Sequence, residues 1–181
     1  MSRIFPFAAL RPTPESAAAV AAVPYDVVST DEARALASGN PLSFLHVSRP
    51  EIDLPAGADP HADPVYVKAL ESFAALKKNA PLVIEDRPTI YIYRLHMGGH
   101  VQTGVAACFS IDEYDSGGIK KHEKTRPDKE DDRTRHMLAI RAQTGPVFLT
   151  YKKSGAIDDV VARVTMGKPL FDLTAPDGPQ R

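Results

Sequence analysis

The sequence predicts an α+β protein in which a mixed or antiparallel sheet is flanked by helices, with a division into two lobes, residues 1–85 and 86–181. Three stretches carry that prediction. In the first, Val65, Tyr66, Ala69, Leu70, Phe73 and Leu76 recur at the spacing of one helix face until Lys77, Lys78, Asn79 and Pro81 end the pattern. In the second, "TIYIYRLHM" and "HVQTGVAACFSIDEY" are β-rich runs joined by Gly98-Gly99, a pair free to take the positive φ of a tight turn, so a hairpin is expected over about 88–111. In the third, "DKEDDRTRHMLAIRAQTG" reads as a helix with Pro127 at its start, acids in its first turn and Gly145 near its end.

The remaining elements follow in order. Prolines at 6, 12, 14, 24, 41, 50, 55, 60 and 64 keep the elements of the first half short, because each fixes φ and disfavours helix at the residue before it. "VPYDVVS" reads as an extended segment entering a turn, after which Ser29 or Thr30 caps the helix "DEARALASGN", stopped by Gly39-Asn40. In "PLSFLHVSRP", Phe44, Leu45 and Val47 form a strand-like run closed by Pro50, and "EIDLPAGADPHADP" is a polar loop. Beyond the charged helix, "PVFLTY" reads as a short strand, "IDDVVARVTMG" as a helix and "PLFDLTA" as a last extended piece.

Composition excludes several classes. The chain has 181 residues, 43% of them hydrophobic, enough for a real core. Its net charge of −1 supplies no general field for nucleic acid. The single cysteine, Cys108, rules out an intrachain disulfide and a four-thiolate zinc site, and its setting in "VAACFSI" reads as a buried strand with no reactive role. Pro6 and Arg11 interrupt any signal-peptide core, and "SAAAVAAV" is far short of the ~20 apolar residues of a membrane span. These features together lead us to expect a cytoplasmic protein.

Chemistry concentrates in "GGIKKHEKTRPDKEDDR". From Lys120 to Arg135 there are seven Lys or Arg and five Asp or Glu around His122. Phosphoryl transfer needs cations on the phosphoryl oxygens, a group to orient the nucleophile, and carboxylates for Mg²⁺. Lys120, Thr125, Lys129 and Arg133 are candidate phosphate contacts, as are Lys124 and Arg126. His122 and Glu123 are candidates for acid and base, and Glu130 and Asp132 for Mg²⁺. The start of the helix near Pro127 adds an anion-friendly dipole end that its own acids partly occupy. The bland alternative is an exposed helix start laced by pairs such as Lys129 with Asp132, each worth ~0.3 kcal/mol. His122-Glu123 is not the start of a zinc-binding His-Glu-x-x-His helix, because Arg126 stands at the second histidine's place. No zinc or haem site is expected. Outside this stretch, Tyr25 and Asp26 follow a φ-fixed Pro24, and Arg49 offers forked donors for an anion. His46 reads as a hydrogen-bonded strand histidine, and Tyr91 with Tyr93 as hairpin packing.

On "GIKKHEKTRPDKEDDR", "VPYDVVSTDEARALASGNPLSFLHVSRPE" and "QTGPVFLTY", the chain resembles the family called domain of unknown function 1015 over essentially its whole length. Members of that family are longer and carry a later Asp-Gly-His-His-Arg motif similar to that of ParB/sulfiredoxin-like free-serine kinases. That motif is absent from this sequence, so the resemblance implies the N-terminal portion of one family unit. It also implies part of a phosphoryl-transfer enzyme for a small hydroxylated or phosphorylated metabolite of the serine or phosphoserine class, with Mg²⁺ and ATP or ADP as cofactors and no membrane partner. The alternatives are a non-catalytic nucleotide- or nucleic-acid-binding module, which near-zero net charge disfavours for nucleic acid, and an inactive fragment. Because the resemblance rests on the polar runs, Tyr25-Asp26, His46 to Arg49 and Lys120 to Arg133 are expected to share one concave surface.

Overall fold

A computed structural model describes residues 2–174, the side chain of Met97 excepted. Along the chain come β1 (Ile4–Phe5), β2 (Leu10–Pro12), α1 (Pro14–Val20), α2 (Thr30–Ala37), α3 (Leu45–Ser48), a 3-10 turn (Pro50–Asp53) and α4 (Asp63–Asn79). These are followed by β3 (Leu82–Ile84), β4 (Tyr91–Met97), β5 (His100–Ala106), β6 (Cys108–Phe109), α5 (Ile111–Asp115), α6 (Pro127–Ile140) and α7 (Gly155–Val164). The fold is α+β, with short strand pairs in open sheets and no closed barrel among the described residues. No helix among them is long and apolar enough to cross a membrane.

The chain forms two compact units, one of residues 1–14, 83–124 and 148–181 and the other of residues 15–82 and 125–147. The second is helical and is built around α4. Its Val65, Tyr66, Ala69, Phe73 and Leu76 are buried, which is the expected apolar stripe except that Leu70 is 47% exposed. Ala69, Phe73 and Leu76 meet Val20 of α1, Val47 of α3 and Ile140 of α6 in one cluster. Ala33 and Ala37 of α2, Leu45 of α3 and Ile52 of the 3-10 turn make a second. Ser29 caps α2 with a complete capping box, its hydroxyl accepting from the Glu32 amide while the Glu32 carboxylate accepts from the Ser29 amide.

The run expected as a strand at Phe44 to Val47 is instead α3. Residues two apart on a helix point about 200° apart, so Leu45 and Val47 alternate as they would on a strand, each entering a different core cluster. Helix α6 stops at Ile140, short of Gly145, and Arg141 takes the left-handed C-cap conformation at φ 53° that glycine usually fills.

The other unit holds the strands. β4 and β5 form the expected antiparallel hairpin, with Tyr91 opposite Ala106 and Met97 opposite His100, and Gly98 turns it at φ 58°. β1 pairs antiparallel with β6, and β2 pairs with β3. The Tyr91 ring packs on Phe7 at 5.0 Å, and its hydroxyl accepts from the Ala9 amide. Arg11 and Glu85 make a close ion pair. Cys108 is exposed rather than buried, because β6 is a two-residue edge piece. "PVFLTY" forms no strand, since none of its residues pairs with another strand. The "PLFDLTA" segment is irregular and unpaired through Thr174, and Ala175 lies outside the described residues.

Candidate functional site

The helical unit gathers its ionisable groups around Asp132. That residue belongs to a line at four-residue spacing, Asp132, His136 and Ile140, all buried on the inner face of α6. A carboxylate taken out of water must be met by donors, and this one is met by three. Its Oδ1 accepts from the Tyr66 hydroxyl at 2.8 Å and from Nδ1 of His61 at 2.9 Å, while its Oδ2 accepts from Nε of Arg133 at 2.8 Å, with Nη2 of the same side chain at 2.6 Å. Burial alone would push the Asp132 carboxyl up, but the hydrogen bonds from Tyr66, His61 and Arg133 outweigh it and hold the group below the usual carboxylate range. The same contact works in the opposite sense on Tyr66. Its burial, then its bond to Asp132 and the carboxylate's charge, push the phenol up to about 12.

Arg133 is clamped in two directions. One edge of its guanidinium meets Asp132, and its face lies over the Tyr25 ring at 4.3 Å. The side chain remains 29% exposed. Tyr25 is in turn positioned by Arg49, whose Nη1 donates to the Tyr25 carbonyl at 3.0 Å and whose Nη2 donates to the Thr30 hydroxyl at 2.9 Å. Nε of Arg49 lies 2.7 Å from the Glu51 carboxylate, close enough for strong attraction, yet its N–H is not aimed at the oxygen and is left without a hydrogen bond. Arg49 thus organises the Tyr25 turn and the start of α2 from a largely buried position.

His61 sits in the loop before α4 with its backbone tied at both ends. Its N–H donates to Asp59 at 2.9 Å, and its carbonyl accepts from Arg135 at 3.2 Å. Arg135 also pairs with Asp63 at 2.5 Å and covers the Tyr66 ring at 4.2 Å. One turn beyond Asp132, Nε2 of His136 donates to the Val47 carbonyl at 2.8 Å, joining α6 to α3. Burial lowers the pKa of His136 and keeps it neutral.

Of the residues singled out from the sequence, Tyr25, Arg49, Asp132 and Arg133 come together here. Asp26 is exposed beside Tyr25, and Thr125, Lys129 and Glu130 are exposed at the start of α6. Lys129 is one turn before Arg133 on the same helix face and makes no ion pair among the described residues. The α6 amides of Lys129 and Glu130 are both turned to the Arg126 carbonyl, and Asp128 is paired with Arg126, so this helix end offers a ligand little. Lys120, His122 and Glu123 belong to the strand-bearing unit and are exposed, His122 by 91%, with its Nε2 3.6 Å from Glu123. His46 lies in α3, its Nδ1 2.9 Å from Asp53 and its Nε2 3.2 Å from the Asn40 carbonyl. It borders an open depression of about 380 Å³ lined also by Arg34, Asn40 and Asp53.

Both oxygens of Asp132 accept from protein donors, and Glu130 is exposed on the first turn of α6. No group of three or more His, Cys, Asp or Glu side chains among the described residues is arranged to hold a metal ion.

Sequence reasoning passed over His61, Tyr66 and Thr30. The available signal was the helical line itself. Asp132 and His136 continue the buried register of Ile140, and Tyr66 that of Ala69 and Phe73, which marks them as inward-facing polar groups in need of partners.

No curated protein and no solved structure matches the chain. The model of the family described as Protein of unknown function (DUF1015) matches residues 4–181. With that match spanning nearly every residue, both the helical cluster and the strand-bearing unit fall inside it, and the chain belongs to the DUF1015 family.

Proposed function

We propose that this chain forms the phosphate-holding part of a phosphoryl-transfer enzyme acting on a small hydroxylated or phosphorylated metabolite, with serine or phosphoserine as the substrate class. The observation that carries the reading is the setting of Arg133. Its guanidinium is fixed edge-on by a buried carboxylate and face-on by Tyr25, and it is still exposed to solvent. An arginine immobilised in advance loses little side-chain entropy when it grips an anion, and its planar fork matches two oxygens of a phosphoryl group. Lys129, one turn away and without an ion pair among the described residues, adds a second cation on that face. ATP or ADP is the proposed phosphoryl carrier, with any Mg²⁺ arriving on the nucleotide. The serine class is proposed from the resemblance of the family's later Asp-Gly-His-His-Arg motif, which this sequence lacks, to that of free-serine kinases.

Calorimetric titration with phosphoserine, ADP and ATP, with and without Mg²⁺, tests the proposal. Removing a charge-assisted contact of ~1.5–3 kcal/mol weakens binding by roughly 10- to 150-fold, and this is the expected effect of Arg133→Ala on the ligand that binds. A thermal melt of the variant separates loss of the contact from loss of the fold. A folded wild-type chain that binds none of the three overturns the reading.

A further inference from the structure

His61 has the marks of a working group rather than a packing group. It is a loop residue whose amide, carbonyl and Nδ1 are all engaged, by Asp59, Arg135 and Asp132 respectively. Its side chain is nevertheless 46% exposed, and Nε2 has no partner among the described residues. The carboxylate at Nδ1 fixes the tautomer, because Asp132 can only accept there. In the neutral ring the proton therefore sits on Nδ1 and the lone pair on Nε2. Asp132 already carries Arg133 on its other oxygen, so a single buried carboxylate aims an imidazole from one oxygen and a phosphate-gripping guanidinium from the other. A base oriented by a third group next to a fixed cation is the arrangement that activation of a hydroxyl requires.

We propose that His61 is the proton acceptor of this site, resting on the reading of Arg133 as its phosphate contact. The O–H bond of a ligand hydroxyl breaks as an N–H bond forms at Nε2. The oxygen keeps the electron pair, the imidazole becomes imidazolium, and water later takes the proton. The same nitrogen protonates when a phosphate dianion is bound beside it. The charged and titratable groups around the ring are Asp132, Arg133 and Arg135 of α6, Tyr66 and Asp63 of α4, and Asp59 of the loop.

The experiment uses phosphoserine and inorganic phosphate as probes on the full chain. The ring resonances of His61, assigned by their disappearance in His61→Gln, are followed through each titration. Proton uptake on binding is measured by calorimetry in two buffers of different ionisation enthalpy. Glutamine retains a donor for Asp132, so the variant is expected to melt like the wild type. The expected result is a shift of the His61 resonances with saturation, and proton uptake that disappears in His61→Gln while affinity falls by no more than about tenfold. If a probe binds and Arg133→Ala weakens that binding as expected, yet the His61 resonances stay still and proton uptake survives in His61→Gln, the role of His61 is overturned and the phosphate reading stands. If neither probe binds the folded wild-type chain, the role of His61 is overturned, and the reading of Arg133 is decided by the titrations with ADP and ATP.

Discussion

His136 and Asp132, four residues apart on α6, respond to pH in separate windows. The folded state lowers the pKa of His136, so the unfolded chain binds the proton more readily, and stability is lost as pH falls through the unfolded value near 6.5. The carboxyl of Asp132 is also lowered, so its contribution is present above its ordinary value of 3.8 and is lost as pH falls through that value and below. The phenol of Tyr66 is raised to about 12 from 10.0, and its contribution is lost as pH climbs between the two. Stability of the helical unit is therefore expected to be greatest between about pH 7 and 9, with the first acid loss near 6.5 absent in His136→Gln. Thermal midpoints by circular dichroism across pH 4 to 11 check this. At this scale the sequence was legible where charges cluster and silent where they are buried. Arg133 was named as one of several candidate phosphate contacts in the charged run, whereas His61 sits in a polar loop whose tertiary partner is 71 residues away.

Among the elements, those with a local cause were readable and those with a tertiary cause were not. The capping box of α2, the stripe of α4, the glycine turn between β4 and β5 and the proline start of α6 are written within a few residues each. The single turn of α3 exists because two separate clusters claim Leu45 and Val47, and no local pattern distinguishes that from a strand. "PVFLTY" has strand-forming residues but no neighbouring strand to pair with, and intrinsic preference alone does not make a sheet. Helix α4 allows a contrast that tests the burial pattern. Phe73→Ala empties a site only 5% exposed and should cost ~3–5 kcal/mol, while Leu70→Ala, on the open face at 47% exposure, should stay within ~0.5 kcal/mol. Urea unfolding of the two variants measures the difference.

At the scale of the whole molecule, the helical unit is completed by a segment that arrives late. Residues 125–147 bring Asp132, His136 and Ile140 to residues 15–82 after the chain has passed through residues 83–124 of the other unit. Deleting residues 125–147 is expected to abolish cooperative unfolding of residues 15–82, since it removes one wall of the main cluster, the hydrogen bond to Val47 and every cation of the candidate site on α6. Loss of the sharp melting transition by circular dichroism, with amide signals of α4 no longer dispersed, is the expected observation.

That threading also sets a timetable for synthesis. At ~5–20 residues per second a ribosome needs roughly 2–8 s to make residues 83–124. An interval of the same length separates the emergence of α4 from that of α6, and during it Phe73 and Ala69 face no α6 and Tyr66 lacks the carboxylate it will bond. The nascent chain thus carries an uncovered apolar stripe for seconds, long enough for a chaperone to bind it and for a neighbouring chain to compete.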